Sequence, residues 1–325
     1  MTPRVGGIHH VTCIAGDAQE NLDFYAGLLG MRLVKRSVNQ DDPGTYHLFY
    51  ADAEGHPGSD LTFFPWPGMG SGREGTGLAG EVALAIPPGS LAFWRDRLER
   101  EGIRVAQEVR FGEPTLTFRD PHGLRLALAA SPRAEERAFA PWRRGPIAPE
   151  HQVRGIHAAR VVETAAGPTQ DLATRAFGMR HAGTDGGWDR YEGADPASGC
   201  LEVASAPGLP RGQWGVGKVH HVAWRVADDA QQRQAQDAVR ATGLSTTHVI
   251  DRFWFRSVYF REPGGVLFEL ATDGPGFGVD EPLDALGETL VLPPWLEPHR
   301  ARIEAALPPL DLPHRRRPPP PAREA

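Results

Sequence analysis

Cysteine is nearly missing from this chain. Cys13 and Cys200 are its only two in 325 residues, too few for a disulfide framework, so a reducing cytoplasm is the expected setting. No apolar run approaches the roughly 20 residues that a membrane-spanning helix needs, so no membrane partner is expected. The segment from Met1 to Gly7 lacks the basic-then-apolar order of an export signal. Positive charge is not in excess either: the formal net charge is −6, which speaks against a nucleic-acid partner. Lysine is scarce beside arginine, which reads as compositional bias. What remains is an ordinary globular mix, 40% hydrophobic and 23% charged, with length enough for two domains.

What is present in abundance is internal repetition. Residues 7–32 (GIHHVTCIAGDAQENLDFYAGLLGMR) align without a gap on residues 155–180 (GIHAARVVETAAGPTQDLATRAFGMR). Residues 118–128 (FRDPHGLRLAL) align on residues 260–270 (FREPGGVLFEL), with Arg110-Phe111 and Arg252-Phe253 at matching positions upstream. Self-similarity at this spacing implies repeated structural units. Four modules account for it, at roughly 5–66, 80–130, 153–207 and 217–273, with one resembling three and two resembling four.

Each module opens on a β-rich run, such as HHVTCI or HHVAWRV, continues into a helix, and ends in short strands parted by Gly/Pro turns. The unit is βαβββ and the fold class α+β. Asp17 with Glu20 has capping-box spacing. Ser90 is the expected cap of LAFWRDRLERE, with Gly102 its stop; Asp229 is the expected cap of the helix that Gly243 closes. Residues 1–130 hold modules one and two, residues 151–273 hold modules three and four, and residues 274–325 form a C-terminal extension. Its segment LPPWLEPHRARIEAALPPL is expected to dock a short helix through Trp295, Ile303 and Leu307, and its tail after Pro308, ending in HRRRPPPPAREA, to be disordered.

GIHHVT at 7–12, VHHVAW at 219–224, Arg252 and Tyr259 seven apart, and Glu269 ten residues later stand in an order and spacing that resembles the vicinal-oxygen-chelate superfamily (glyoxalase, bleomycin-resistance and extradiol-dioxygenase proteins). Within it the chain is most similar to the hydroquinone-type ring-cleaving dioxygenases, over nearly its whole length. The resemblance implies that modules pair into two cupped-sheet barrels, each module offering one ligand position on its first strand and one on its last.

Those positions can be filled from the residues. Adjacent strand residues point to opposite faces, so each His-His pair gives one ligand to a shared ion; the resemblance assigns the second, His10 and His221. Pairing modules one and four then yields His10, His221 and Glu269, with Thr62 as a non-ligand. Modules two and three are left with Glu81, Ala127, Ala158 and Glu202, a set without imidazole that reads as a structural half. The rival pairing of modules three and four would use His221, Glu269 and Glu202 and leave His10 idle, so the first pairing is preferred. It predicts that Glu202→Ala is nearly silent.

Two imidazoles and one carboxylate with open positions suit Fe(II), and Mn(II) is accepted by the same ligands. The resemblance then implies an Fe(II)-dependent dioxygenase that inserts O2 into a hydroquinone-type aromatic substrate, chlorinated or alkylated rings included. His9 and His220 would supply hydrogen bonds or acid/base chemistry, Tyr259 would bond the substrate oxygen or peroxide, and Arg252 would orient Tyr259 or hold negative charge. Arg110 holds Arg252's place in module two, so part of that arginine's role is expected to be structural. A homo-oligomer is common in the superfamily.

Two rivals remain: a glyoxalase-like lyase or isomerase, which would want a second carboxylate where Thr62 stands, and a non-catalytic resistance-type binding protein, which would not retain the ligand set. Trp224, Phe253, Trp254 and Phe255 are candidates for a substrate wall. His47, His56, His122, His181 and His248 read as surface or loop residues, and the two cysteines as buried small side chains.

Overall fold

The computed structural model describes residues 4–312; the last residues of the tail expected to be disordered, 313–325, lie outside the described residues. Module one comprises β1 (Ile8–Ala15), α1 (Ala18–Leu22), β2 (Arg32–Asn39), β3 (Asp42–Ala51) and β4 (Asp60–Pro65). Module two comprises β5 (Leu78–Ile86), α2 (Leu91–Arg100), β6 (Ala106–Arg110), β7 (Glu113–Arg119) and β8 (Arg125–Ala130). Module three comprises β9 (Gly155–Glu163), α3 (Gly167–Asp171), β10 (Arg180–Asp185), β11 (Trp188–Glu192) and β12 (Cys200–Ser205). Module four comprises β13 (Lys218–Val226), α4 (Asp229–Ala241), β14 (Ile250–Asp251), β15 (Arg256–Arg261) and β16 (Leu267–Thr272). All four are βαβββ, as the repeats imply.

Local chemistry sets the helix ends. The Asp17 carboxylate accepts the backbone N–H groups of Gln19 and Glu20 and so opens α1. Two of the expected caps differ. Ser90 does not cap α2 with its side chain; a tight turn at Pro88–Ser90 leads into the helix, and the hydroxyl donates instead to the Glu150 carbonyl at 3.0 Å. Asp228, one residue earlier than expected, caps α4 by accepting from Ala230 and Gln231, because it is the residue with extended backbone. Asp229 already lies in the first turn, and its carboxylate meets Arg256.

The strands form two eight-stranded sheets, in the orders β14-β15-β16-β13-β1-β4-β3-β2 and β10-β11-β12-β9-β5-β8-β7-β6. β1 runs antiparallel to β13 and parallel to β4, and β13 runs parallel to β16. The second sheet repeats this, with β5 against β9 and β8. Each sheet is a curled half-barrel. Alternate residues of the central strands, among them Val11, Cys13, Val222, Trp224, Phe268 and Leu270, join the main core with Ala235 and Val239 of α4. The intervening residues line the concave face.

The extension completes the first cup. A strap from Phe277 to Leu290 lays Phe277 and Leu286 into a small core with Val34, Phe49, Ala223, Trp254, Phe255 and Ala271. Beyond it, α5 (Arg300–Ala306) seats Ile303 against Val38 together with Leu292 and Leu296. Trp295, expected to anchor this segment, is 46% exposed and meets the Phe253 ring at 6.2 Å. The adjacent Leu296, held by a backbone bond from its N–H to the Pro293 carbonyl, points inward in its place.

Candidate metal centre

Three side chains meet on the floor of the first cup. β1 brings His10, β13 brings His221 and β16 brings Glu269, all buried. The register explains the meeting. His221 pairs with Thr12 across β1–β13, and Ala223, two residues on, pairs with Glu269 across β13–β16. His10 Nε2 lies 3.2 Å from His221 Nε2 and 3.4 Å from Glu269 Oε2, and His221 Nε2 lies 3.0 Å from the same oxygen. Three donors bound to one ion at about 2.1 Å are separated by about 3.0 Å at right angles and about 3.4 Å in a tetrahedron, so this triangle fits a single cation.

Hydrogen bonding prepares the lone pairs. His9 Nε2 donates to the Thr272 carbonyl at 3.1 Å. Burial lowers the His9 pKa from its ordinary 6.5 to about 3, with His10 adding to the effect. The ring is therefore neutral, and its Nδ1 is an acceptor. That nitrogen lies 2.9 Å from His10 Nδ1, so His10 Nδ1–H is the donor and His10 Nε2 keeps its lone pair for the cup. A metal-binding imidazole characteristically has its other nitrogen held in this way. His220 Nδ1 stands 2.9 Å from His221 Nδ1, which allows His221 the same tautomer. Burial, then His221, lowers the His220 pKa to about 3, and its ring stacks on Trp214 at 4.7 Å.

Glu269 shows the same preparation. Ser257 donates to Oε1 at 2.5 Å, whereas buried Oε2, which faces the imidazoles, accepts no hydrogen bond. Burial by itself would raise this carboxyl, but the facing His10 and His221 rings, whenever they carry a proton toward it, hold it well below its usual range. Lone pairs converging in a buried space call for a cation between them, so the residues fit a divalent metal.

The walls divide by chemistry. Phe49, Phe64, Trp254 and Phe255 supply apolar surface, and Asn39, Gln40 and Asp41 form a polar rim at the β2–β3 turn. Tyr259 stands 5.7 Å from the His221 ring; burial, followed by the Glu269 charge, pushes its phenol up, so it keeps its proton. Arg252 lies over the Tyr259 ring at 5.4 Å and forms a two-pronged ion pair with Asp41 at 2.9 and 3.2 Å. The bond from Gln40 Nε2 to the Arg252 carbonyl, 2.9 Å, reinforces this closure.

Some residues differ from their expected places. His47 is not a surface residue: it faces the cup, with Nε2 2.9 Å from Thr62 Oγ1, and burial, then the His10 and His221 rings, puts its pKa well below 6.5. Thr62 is held in turn by Thr12 at 2.7 Å. The signal was in the alternation of β3, where Tyr46, Leu48 and Tyr50 join the main core, so His47 and Phe49 must point the other way. Ser257 was equally legible, two residues before Tyr259 on one strand. Trp224 is core, packed on Phe177 and Phe268, and does not line the cup. Phe253 is not a wall residue either; its backbone is left-handed at φ 76° and its ring turns toward Trp295. Cys13 and Cys200 are buried free thiols, as expected.

Known proteins share this chain's sequence pattern and its fold. The sequence pattern of the Glyoxalase/Bleomycin resistance protein/Dioxygenase superfamily matches residues 7–128 and 169–270. The chain is 42% identical to "Putative ring-cleaving dioxygenase MhqO" of Bacillus subtilis, over 96% of this chain and 99% of that protein. It is 33% identical to the "Chlorohydroquinone/hydroquinone 1,2-dioxygenase" of Sphingobium indicum, over 91% and 94% respectively. A crystal structure described as a putative dioxygenase from Bacillus subtilis superposes with a TM-score of 0.89 at 41% identity, covering 95% of this chain and 98% of that one. Glyoxalase I from Zea mays shares the fold at a TM-score of 0.60 and 16% identity, over 82% of this chain and 92% of that one.

Proposed function

The chain belongs to the Glyoxalase/Bleomycin resistance protein/Dioxygenase superfamily, and from that premise we propose that it is a ring-cleaving dioxygenase of hydroquinone-type aromatics, with Fe(II) held by His10, His221 and Glu269. The observation that carries the reading is the open triad: two imidazole lone pairs and one unbonded carboxylate oxygen on one side, a closed Thr12–Thr62–His47 cluster where a fourth ligand would stand. Bound there, Fe(II) would supply a Lewis-acid and redox centre with positions free for a phenolic oxygen and for O2.

The chain's own residues do the rest. Ser257 fixes Glu269 so that one oxygen faces the ion. His9 holds His10 in the tautomer that leaves Nε2 bare. Phe49, Phe64, Trp254 and Phe255 enclose a flat ring and exclude water, which strengthens every polar interaction inside. Tyr259, kept protonated, donates a hydrogen bond toward oxygen on the substrate, and Arg252 sets its orientation. His47 presents a neutral imidazole on another wall, tied to Thr62. Orientation of this kind accounts for much of the rate gain when two reactants share one site.

Oxygen uptake by protein loaded anaerobically with Fe(II), with hydroquinone and catechol in parallel, tests the reading. Uptake with hydroquinone and a ring-opened product absorbing in the near ultraviolet are expected. Uptake with catechol alone would move the substrate class to vicinal diols. Iron-replete protein that consumes oxygen with neither would overturn the proposal.

A further inference from the structure

Lys35 is one of only two lysines in a chain that otherwise uses arginine for its cations. It sits on β2, fully buried, far along the strand order from the metal ligands. Its ammonium donates to Asp280 Oδ1 at 2.7 Å, to Glu281 Oε2 at 2.5 Å and to the Phe277 carbonyl at 3.1 Å. All three acceptors lie on the strap of the C-terminal extension. A compact three-donor ammonium suits three converging acceptors, where a planar guanidinium does not.

The chain of contacts continues beyond the strap. The other oxygen of Asp280, Oδ2, accepts the indole N–H of Trp254 at 3.0 Å. Trp254 is a wall of the cup, edge-on to Phe49 at 5.9 Å and adjacent to Phe255, which lies 5.2 Å from the His10 ring. The same ammonium stands 5.5 Å from the Trp254 ring centre, so the indole is held at its N–H and by its face. A buried lysine is costly to desolvate. Here that cost sustains one continuous connection from the outer strand of the cup, through the extension, to the wall against which a ring would lie.

We propose that Lys35 is a positioning residue: through Asp280 it sets the place of Trp254, which makes the C-terminal strap part of the aromatic-binding wall. This rests on reading the His10–His221–Glu269 cup as the place where an aromatic ring binds. It does not depend on which reaction follows.

The test is a double-mutant cycle on ring affinity, read with 4-nitrophenol, a redox-stable phenol with a visible absorbance, titrated into metal-loaded protein kept free of oxygen. Lys35→Met and Trp254→Phe are each expected to weaken binding by about tenfold, and the double variant by about tenfold rather than a hundredfold, because residues acting through one another are non-additive. Metal content per protein stays equal to wild type. Should Lys35→Met fail to fold, Asp280→Asn takes its place in the same cycle; it keeps the size and an acceptor for the indole while weakening the grip of Lys35. Losses that multiply, or unchanged affinity in the Lys35 or Asp280 variant, overturn the proposal. Wild type that binds 4-nitrophenol but cleaves no hydroquinone would defeat the proposed reaction and leave the positioning role standing.

Discussion

The two cups share a strand plan and differ in what fills the floor. In the first, the ligand positions carry His10, His221, Glu269 and Thr62. In the second, the matching positions carry Glu81, Ala127, Ala158 and Glu202. With two of the four reduced to alanine, a patch of Ala83, Ala127, Ala158 and Cys200 makes room for arginines. Arg110 reaches Glu81, Arg160 reaches Glu202 at 2.8 Å, and Arg190 bridges Glu202 at 2.7 Å and Glu113 at 2.9 Å. His157, the counterpart of His9, pairs with Glu113 at 2.9 Å.

The arginines themselves show how a repeat diverges. Arg110 and Arg252 stand in one slot, each followed by a phenylalanine in left-handed backbone, at φ 48° and 76°. That strain belongs to the fold rather than to either site. Arg110 turns inward because Glu81 waits at the ligand position; in the first cup an imidazole, His221, stands there, and Arg252 instead covers Tyr259 and meets Asp41 at the surface. One cup is electrostatically complete within its own chain, and the other gathers three ligand atoms around a space that fits a cation.

The largest effect that would break this contrast is loss of a ligand. His10→Ala should empty the first cup of metal and lower turnover by roughly a thousandfold or more, equivalent to about 4 kcal/mol of barrier, as read by metal analysis and oxygen uptake. A variant that retains both would refute the triad. Next comes Glu202→Ala. The sequence reading made it nearly silent, but the structure shows that it takes a shared carboxylate from two buried guanidiniums, leaving Arg160 only a 3.8 Å approach to Glu81 and Arg190 its pair with Glu113, a cost of about 3 kcal/mol. Thermal unfolding should register that loss while metal content per folded molecule holds; falling metal content would mean the cups are not independent.

Acid should separate the cups in the metal-free protein. His9 and His220 titrate near 3 when folded, against an ordinary 6.5, so an unfolded chain binds protons first and the first cup loses stability as pH falls below 6.5. In the second cup, burial opposes but His157, Ser131 and Arg190 bring Glu113 from 4.5 down to about 2, so its contribution persists until pH falls below 4.5. Hydrogen exchange at pH 5.5 should therefore quicken in β1 and β13 before β5 and β9, and simultaneous loosening would contradict the contrast. The smallest effect is expected from Asp41→Ala. Its carboxylate is 73% exposed, so its pair with Arg252 stabilises by less than about 1 kcal/mol, and the unfolding midpoint should barely move.

Much of this is legible in the amino-acid sequence. Gap-free repeats and period-two strands implied four βαβββ modules, and the His-His pairs with Glu269 marked the triad. Caps were read less well, because Ser90 and Asp229 carry suitable side chains at positions whose backbone sends them elsewhere. His47 was misplaced because a histidine in a strand shows its face only once the neighbouring apolar residues are counted, and Trp295 because adjacent Leu296 competes for the same contact.

By itself, then, the sequence determined the local units and the residue types that favour a metal, since periodicity and side-chain chemistry are written in consecutive residues. Only the tertiary structure decided which strands lie side by side, that Ser257 takes one oxygen of Glu269 and leaves the other without a hydrogen bond, and that a lysine on β2 reaches Trp254 through a strap some 245 residues away in the chain. Those are outcomes of closing a curled sheet, where the distance between groups is set by the register of strands rather than by their order in the chain.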